Sequence, residues 1–355
     1  MSLPRLELRA QRLAHNAAAV VEACGKRGIE VFGVTKVTRA HPVVVRALMA
    51  GGVAGLADSR LENLASIRRK GYAGPLLLLR LPSPSEVAAT VALADISLNS
   101  SPEVVAALGA EARRIGKSHR VLLMVDLGDL REGVWPDRAA EVAARMAAVP
   151  GIELAGIGTN LTCFGGVVPT HANLGQLVDL AAKLRQALSL PLPVVSGGNS
   201  SAMGLIWSGR PPAGLTQLRV GEAIMLGRET VQRRPLTGLC LDVFTVRAEV
   251  IEVEHKPSLP VGELGQDAFG RAPVFADRGV RPRAILALGR QDAPPEGLTP
   301  LEAGVQILGA SSDHLLVDVG DSQQPVRVGD TLSFRPDYAA LLALSTSPYV
   351  ETVER

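Results

Sequence analysis

The chain has 355 residues, 47% of them hydrophobic, and a net charge of +2, enough length for a large core and two domains. Scattered basic residues and only 3% aromatics exclude a nucleic-acid patch or a base-stacking platform. Three cysteines at no metal-like spacing, an N-terminus without a signal-like apolar core and no run of membrane-spanning length point to a cytoplasmic protein with reduced thiols.

In chain order, 3-LPRLELR-9 alternates like a lone strand and 10–28 has helical period. Short apolar strands then follow at 30–36, 53–59, 75–81, 95–100, 120–127, 152–160, 193–199 and 217–223. Alanine-rich helical segments separate them at 41–52, 60–71, 101–116, 137–149 and 172–190. Ser101 followed by Pro102 and Glu103 is a helix start with proline at the first helical position. Eight such units make a parallel (β/α)8 TIM barrel. A doubly wound open sheet competes, but it needs no eighth strand. It would also place a phosphate-binding glycine loop where VTKVTRAH stands.

Past residue 232 the texture changes. Strand-like runs at 243–254, 283–289 and 314–320 lie between loops rich in Gly, Pro and Asp, and helical period largely disappears. The expected domains are a barrel over 1–232 and a β-rich domain over 233–355, with residues 1–9 possible as a strand shared with the latter.

Barrel enzymes collect reacting groups at the C-terminal ends of their strands. Those ends carry Lys36, Asp58, Asn99, Asp126 with Arg131, Asn160 with Cys163, 196-SGGNSS-201, and Arg219 with Gly221. No cluster there suits a catalytic metal, and no two histidines stand four apart. Lys36 is one of only six lysines, and it alone ends an apolar strand, VFGVTK. An ammonium there is either a Schiff-base lysine with a depressed pKa, or one that snorkels to the mouth and pairs with Asp58. The glycine-serine run after strand seven and RVGEA at strand eight lie where barrels hold phosphates. A Schiff-base lysine facing a phosphate cradle fits pyridoxal phosphate.

These residues resemble the alanine racemase-like, fold-type III pyridoxal-phosphate enzymes, and most closely their alanine/ornithine racemase branch. The matching stretches are VFGVTKVTRAHP, VDLGDLREGVW, GIGTNLTCFGG, VVSGGNSSAMG, RVGEAIMLGRE, HKPSLPVGELGQDAFG, RAILALGRQD and SSDHLLVDVGD, and they extend over nearly the whole chain. The resemblance implies that Lys36 holds the cofactor as a Schiff base and moves a proton at Cα. It implies that Arg219 faces the pyridine nitrogen, with Asn160 where simple alanine racemases have a supporting histidine. Ser196, Asn199, Ser200, Ser201, Gly221, Glu222 and Tyr338 match cofactor-binding positions, and Arg131 matches the arginine that steadies the substrate carboxylate.

Racemisation needs an acid/base on each face of Cα. The resemblance implies a tyrosine from a partner subunit on the second face, but Arg290 stands near that position, and arginine stays protonated. Asp267, Cys163, Arg290, Asp313 and His314 are the candidates, and the second base stays unassigned. Cys163 reads more readily as a small core residue than as a base. Asp267 could instead bind a side-chain ammonium, with Ser312 a further substrate contact. The expected activity is racemisation of ornithine or another basic amino acid, with alanine possible, by a homodimer. A decarboxylase or aldolase of the same fold, or a non-catalytic pyridoxal-phosphate carrier, is the alternative.

Overall fold

The computed structural model describes residues 4–272 and 274–355. The chain divides into two compact units, Ala10–Leu241 and a second that joins residues up to Arg9 to Asp242–Arg355. Leu3, the first residue of the alternating run, lies outside the described residues; β1 (Arg5–Leu8) belongs to the second unit.

Eight parallel strands close the barrel of the first unit: β2 (Glu30–Val34), β3 (Gly55–Asp58), β4 (Leu76–Leu78), β5 (Ile96–Asn99), β6 (His119–Met124), β7 (Ile152–Gly158), β8 (Val194–Ser196) and β9 (Gln217–Val220). Seven fall within the expected segments, and β6 starts one residue ahead of its own. The competing open sheet is overturned by the pairing of β9 with β2, which runs from Glu30 opposite Gln217 to Gly33 opposite Val220. The strands read as continuous apolar runs because both their faces are covered. Phe32, Val34, Leu77, Leu98, Leu122 and Met124 are buried together in one core cluster.

Helices Pro42–Ala50, Leu61–Arg69, Pro102–Arg114, Ala139–Ala147 and His171–Leu188 occupy the expected segments. Ser101 Oγ accepts from Val104 N at 3.3 Å, so the residue read as a cap is one. Helix Val87–Leu93 is an addition between β4 and β5. The first unit continues past 232, to Leu241. Leu236 N donates to Gly227 O at 2.9 Å, and Asn16 Nδ2 donates to Cys240 O at 2.9 Å. These bonds fold 233–241 back onto the barrel's own elements.

The second unit holds β10 (Phe244–Pro257), β11 (Val280–Ala287), β12 (Leu298–Pro300), β13 (Gln306–Ala310), β14 (His314–Asp318), β15 (Thr331–Pro336) and β16 (Glu351–Glu354). The long β10 binds β11 and β15. β1 runs antiparallel to β10 and parallel to β16, with Arg5 opposite both Arg247 and Glu351. Among the described residues, one α-helix, Tyr338–Thr346, interrupts this β-rich unit, capped by Asp337, whose side chain accepts from Ala340 N at 2.8 Å. Among the described residues, no helix is long and apolar enough to cross a membrane.

Candidate active site

Backbone strain marks the C-terminal mouth of the barrel. Seven described non-glycine residues have positive φ, and four of them, Arg39, Ala40, Leu130 and Thr162, lie in loops that leave β2, β6 and β7. Left-handed backbone costs about 1–2 kcal/mol per non-glycine residue, and such strain gathers where function requires it.

Lys36 follows β2 by two residues and opens a short 3-10 turn, Lys36–Thr38, that ends in the strained pair at Arg39 and Ala40. Its side chain is open to solvent at the mouth but crowded by protein around most of its length. That loss of hydration lowers its pKa, and the Arg131 guanidinium lowers it further, while Cys163, Asp58 and Glu132 oppose. The salt bridge to Asp58 is absent. Asp58 instead accepts from Thr35 Oγ1 at 2.6 Å, Arg60 N at 3.0 Å and Asn63 Nδ2 at 3.0 Å. Burial raises the pKa of this carboxyl above its ordinary value against those bonds.

Across the mouth, Arg219 projects from β9 and is 2% exposed. Its Nη2 donates to Thr159 O at 2.6 Å and to Asn160 Oδ1 at 2.9 Å, and Nη1 donates to Ser196 Oγ. Burial pushes its pKa down to about 10, with Glu132 the first charge to oppose. Gly158 makes room for it, because a Cβ there would meet Arg219 Nη1 at 3.3 Å and Ser196 Cβ at 3.1 Å. Ser196 in turn donates to Gln217 Oε1 at 2.8 Å, so it orients Arg219.

Ser200 and Ser201 are buried in the loop after β8. Ser200 Oγ accepts from Gly221 N at 3.2 Å and Ala223 N at 3.1 Å, so this hydroxyl joins the loops after β8 and β9. Asn199 Oδ1 accepts from Ser201 N at 2.8 Å, and its Nδ2 donates to Leu161 O at 3.1 Å and Cys163 Sγ at 3.2 Å. The Glu222 carboxylate is engaged by Arg233.

Cys163 lies in the loop after β7 and is exposed, so it is not the core residue its small size suggested. Asp129, which escaped the sequence reading, holds that loop by accepting from Cys163 N at 3.0 Å, Phe164 N at 2.9 Å and Val167 N at 3.2 Å. Burial raises the Cys163 thiol, with Arg131 and Lys36 opposing. The thiol therefore shares the electrostatic field of Lys36. Glu132 is the second omission. Its carboxylate takes both Nε and Nη2 of Arg131, the latter at 2.7 Å, and also the amide of Asn160. Burial would raise its pKa, but Arg131 and the other donors leave it lowered. A carboxylate beside Arg131 in VDLGDLREGVW was the available signal.

The remaining expected residues lie in the second unit. Arg290 pairs with Glu296 at 2.7 Å and stands 5.1 Å over the Phe269 ring. Asp267 is exposed and accepts from Phe269 N at 2.8 Å and Arg271 N at 2.9 Å. Asp313 accepts from Ser312 Oγ at 2.6 Å and from Gln291, and His314 begins β14. Tyr338 is the first residue of helix Tyr338–Thr346. Among the described residues, no three His, Cys, Asp or Glu are grouped to hold a metal ion.

Residues 8–229 match the family described as the alanine racemase N-terminal domain. The chain is 42% identical to the lysine racemase of Thermotoga maritima, over 99% of each chain. It is 44% identical to the ornithine racemase of Acetoanaerobium sticklandii, over 98% of each. Among solved structures, the alanine racemase of Streptomyces coelicolor A3(2) superposes with a TM-score of 0.77 at 19% identity, over 99% of this chain and 97% of that one. That last likeness concerns the fold.

Proposed function

The chain belongs to the alanine racemase family and is an amino-acid racemase; we propose that it works with pyridoxal 5'-phosphate on ornithine or lysine. What carries the substrate class is full-length identity of 42% and 44% to racemases of those two basic amino acids.

The mouth fits the cofactor. Among the described residues, Thr159 Oγ1 and Asn99 Oδ1 are buried there without a hydrogen-bond partner, and the Gly221 and Ala223 amides gather on the Ser200 hydroxyl. Ser200, Ser201 and the backbone at Gly221 and Glu222 would hold the phosphate, Lys36 the aldehyde carbon, and Arg219 with Asn160 the pyridine nitrogen. When bound, pyridoxal phosphate supplies the electron sink that makes the substrate Cα proton acidic. Tyr338 is proposed as a further phosphate contact.

Arg131 binds the substrate carboxylate through a guanidinium whose other edge is fixed by Glu132. Lys36, with its lowered pKa, is neutral more often than an ordinary lysine, and it takes and returns the Cα proton on one face. Arg219 stays a cation and would keep the pyridine nitrogen of the bound cofactor unprotonated. Cys163 is the second-base candidate that shares the barrel mouth with Lys36; Asp267, Arg290, Asp313 and His314 belong to the other unit. We place the protein in the cytoplasm as a homodimer, in keeping with exposed Leu130, Phe164 and Trp135 on the loops around the mouth.

The test is incubation of the cofactor-loaded protein with L-ornithine and L-lysine in deuterated water. Optical rotation should vanish, and one deuterium should enter at Cα with the carbon skeleton intact. Lys36→Ala should lose the visible absorption of bound cofactor and racemise at least about a thousandfold more slowly. Loss of carbon dioxide, or a wild type that binds no pyridoxal phosphate, would overturn the reading.

A further inference from the structure

We propose that Glu132 is a positioning residue that couples the two arginines of the site, holding Arg131 for the substrate carboxylate and, through Asn160, Arg219 for the cofactor. The inference rests on the racemase reading above and adds to it a residue that none of the family-implied roles includes.

The loop fixes where this carboxylate stands. Val125 and Val134 form a bridge across the turn after β6, with Asp126 N donating to Val134 O and Val134 N to Met124 O, each at 2.9 Å. Gly133 permits the closure. Its φ is +126°, and a Cβ there would sit 2.6 Å from Asp126 N. Glu132 is thus placed by backbone rather than by a flexible reach.

Its bonds form one continuous relay. Glu132 Oε2 accepts from Arg131 Nε, and Oε1 accepts from Arg131 Nη2 at 2.7 Å and from Asn160 Nδ2. Asn160 Oδ1 then accepts from Arg219 Nη2 at 2.9 Å. The amide has one workable orientation, since a flip would set its oxygen against the carboxylate and its NH2 against a guanidinium. Asparagine at 160 is suited to this place because it accepts from the arginine and donates to the carboxylate at once.

Charge makes the relay more than a local pair. The other partners of the buried Arg219 guanidinium, Ser196 and the Thr159 carbonyl, are neutral. Glu132 is the carboxylate that most strongly offsets the charge of Arg219, and it also pairs with Arg131. A buried cation left without such compensation is costly. The side chain of Glu132 is 14% exposed against 41% for Arg131, so the carboxylate is the enclosed member and the guanidinium the one presented to ligand.

The experiment compares wild type, E132Q, N160A and the double variant. Cofactor-free protein is titrated with pyridoxal phosphate by visible absorbance, and the loaded enzymes are assayed for KM and kcat with L-ornithine and L-lysine. E132Q should raise KM about tenfold or more, beyond its effect on kcat, and weaken cofactor binding. N160A should act chiefly on cofactor affinity. The double variant should bind cofactor no more than about threefold more weakly than E132Q, because both changes cut one relay. The inference is overturned if E132Q leaves KM and cofactor affinity within about twofold of wild type, or if the double loss equals the product of the single losses. Should E132Q fail to fold, E132D takes its place with the same expectation, since its shorter carboxylate cannot span both partners. A wild type that racemises while E132Q is unaffected sinks this inference alone. A wild type that binds no cofactor sinks the racemase reading with it.

Discussion

Two side chains carry the sharpest expectations at the scale of single residues. In Cys163→Ser, loss of a proton carrier should slow racemisation about a hundredfold or more. One enantiomer should still exchange its Cα proton with deuterated solvent, through Lys36. Equal loss of exchange from both enantiomers, or unchanged racemisation, would place the second acid/base elsewhere. His119 lies at the opposite end of its strand, buried, with Nε2 2.8 Å from Ser97 Oγ. Burial pushes its pKa down to about 4 from the ordinary 6.5. The unfolded chain therefore binds this proton first as pH falls, so the stability is fully present above about 6.5 and is lost toward 4. Between pH 7 and pH 5 the loss is about 2 kcal/mol. The thermal midpoint of wild type should drop more over that range than that of H119Q; parallel curves would remove His119 from the account.

At the scale of elements, close packing between barrel strands sets what each position tolerates. A Cβ on Gly156, in β7, would lie 1.9 Å from Val194 O of β8, and backbone cannot yield as a flexible side chain can. Gly156→Ala should cost about 3 kcal/mol or leave no folded barrel. Gly175, on helix His171–Leu188, has open space around it, so Gly175→Ala should stabilise by about 0.5–1 kcal/mol in denaturant titrations. The same packing explains what could be read in advance. Barrel strands buried on both faces are written as plain apolar runs, and all eight were legible, as was Lys36 as the one lysine ending such a run. Helix Val87–Leu93 was hidden because Val87, Thr90 and Val91 favour strands as readily as helices. Helix Tyr338–Thr346 was hidden because AALLAL is apolar all round and shows no period. The strand ends supplied Arg219, Asn160 and Arg131 by position, and the family resemblance supplied their roles. Asp129 and Glu132 were missed because their roles depend on loop closure, which carries no periodic signal.

At the scale of the whole molecule, the division into units does not follow chain order. β16 finds its only strand partner among the described residues in β1. Deleting residues 1–9 should therefore expose the amides of 351–354 to rapid hydrogen exchange while those of the barrel strands stay protected. Unchanged protection at 351–354 would contradict that dependence. The side chains repeat the link, with Arg355 Nη1 donating to Glu7 Oε2 at 2.8 Å across 348 positions of sequence. During synthesis β1 emerges early but has no partner until β10 has been made, and by then every strand of the barrel is already available to close. The barrel can thus be finished while the earliest strand is still unpaired, and the order in which the units are completed is set by which one must hold its first piece in reserve.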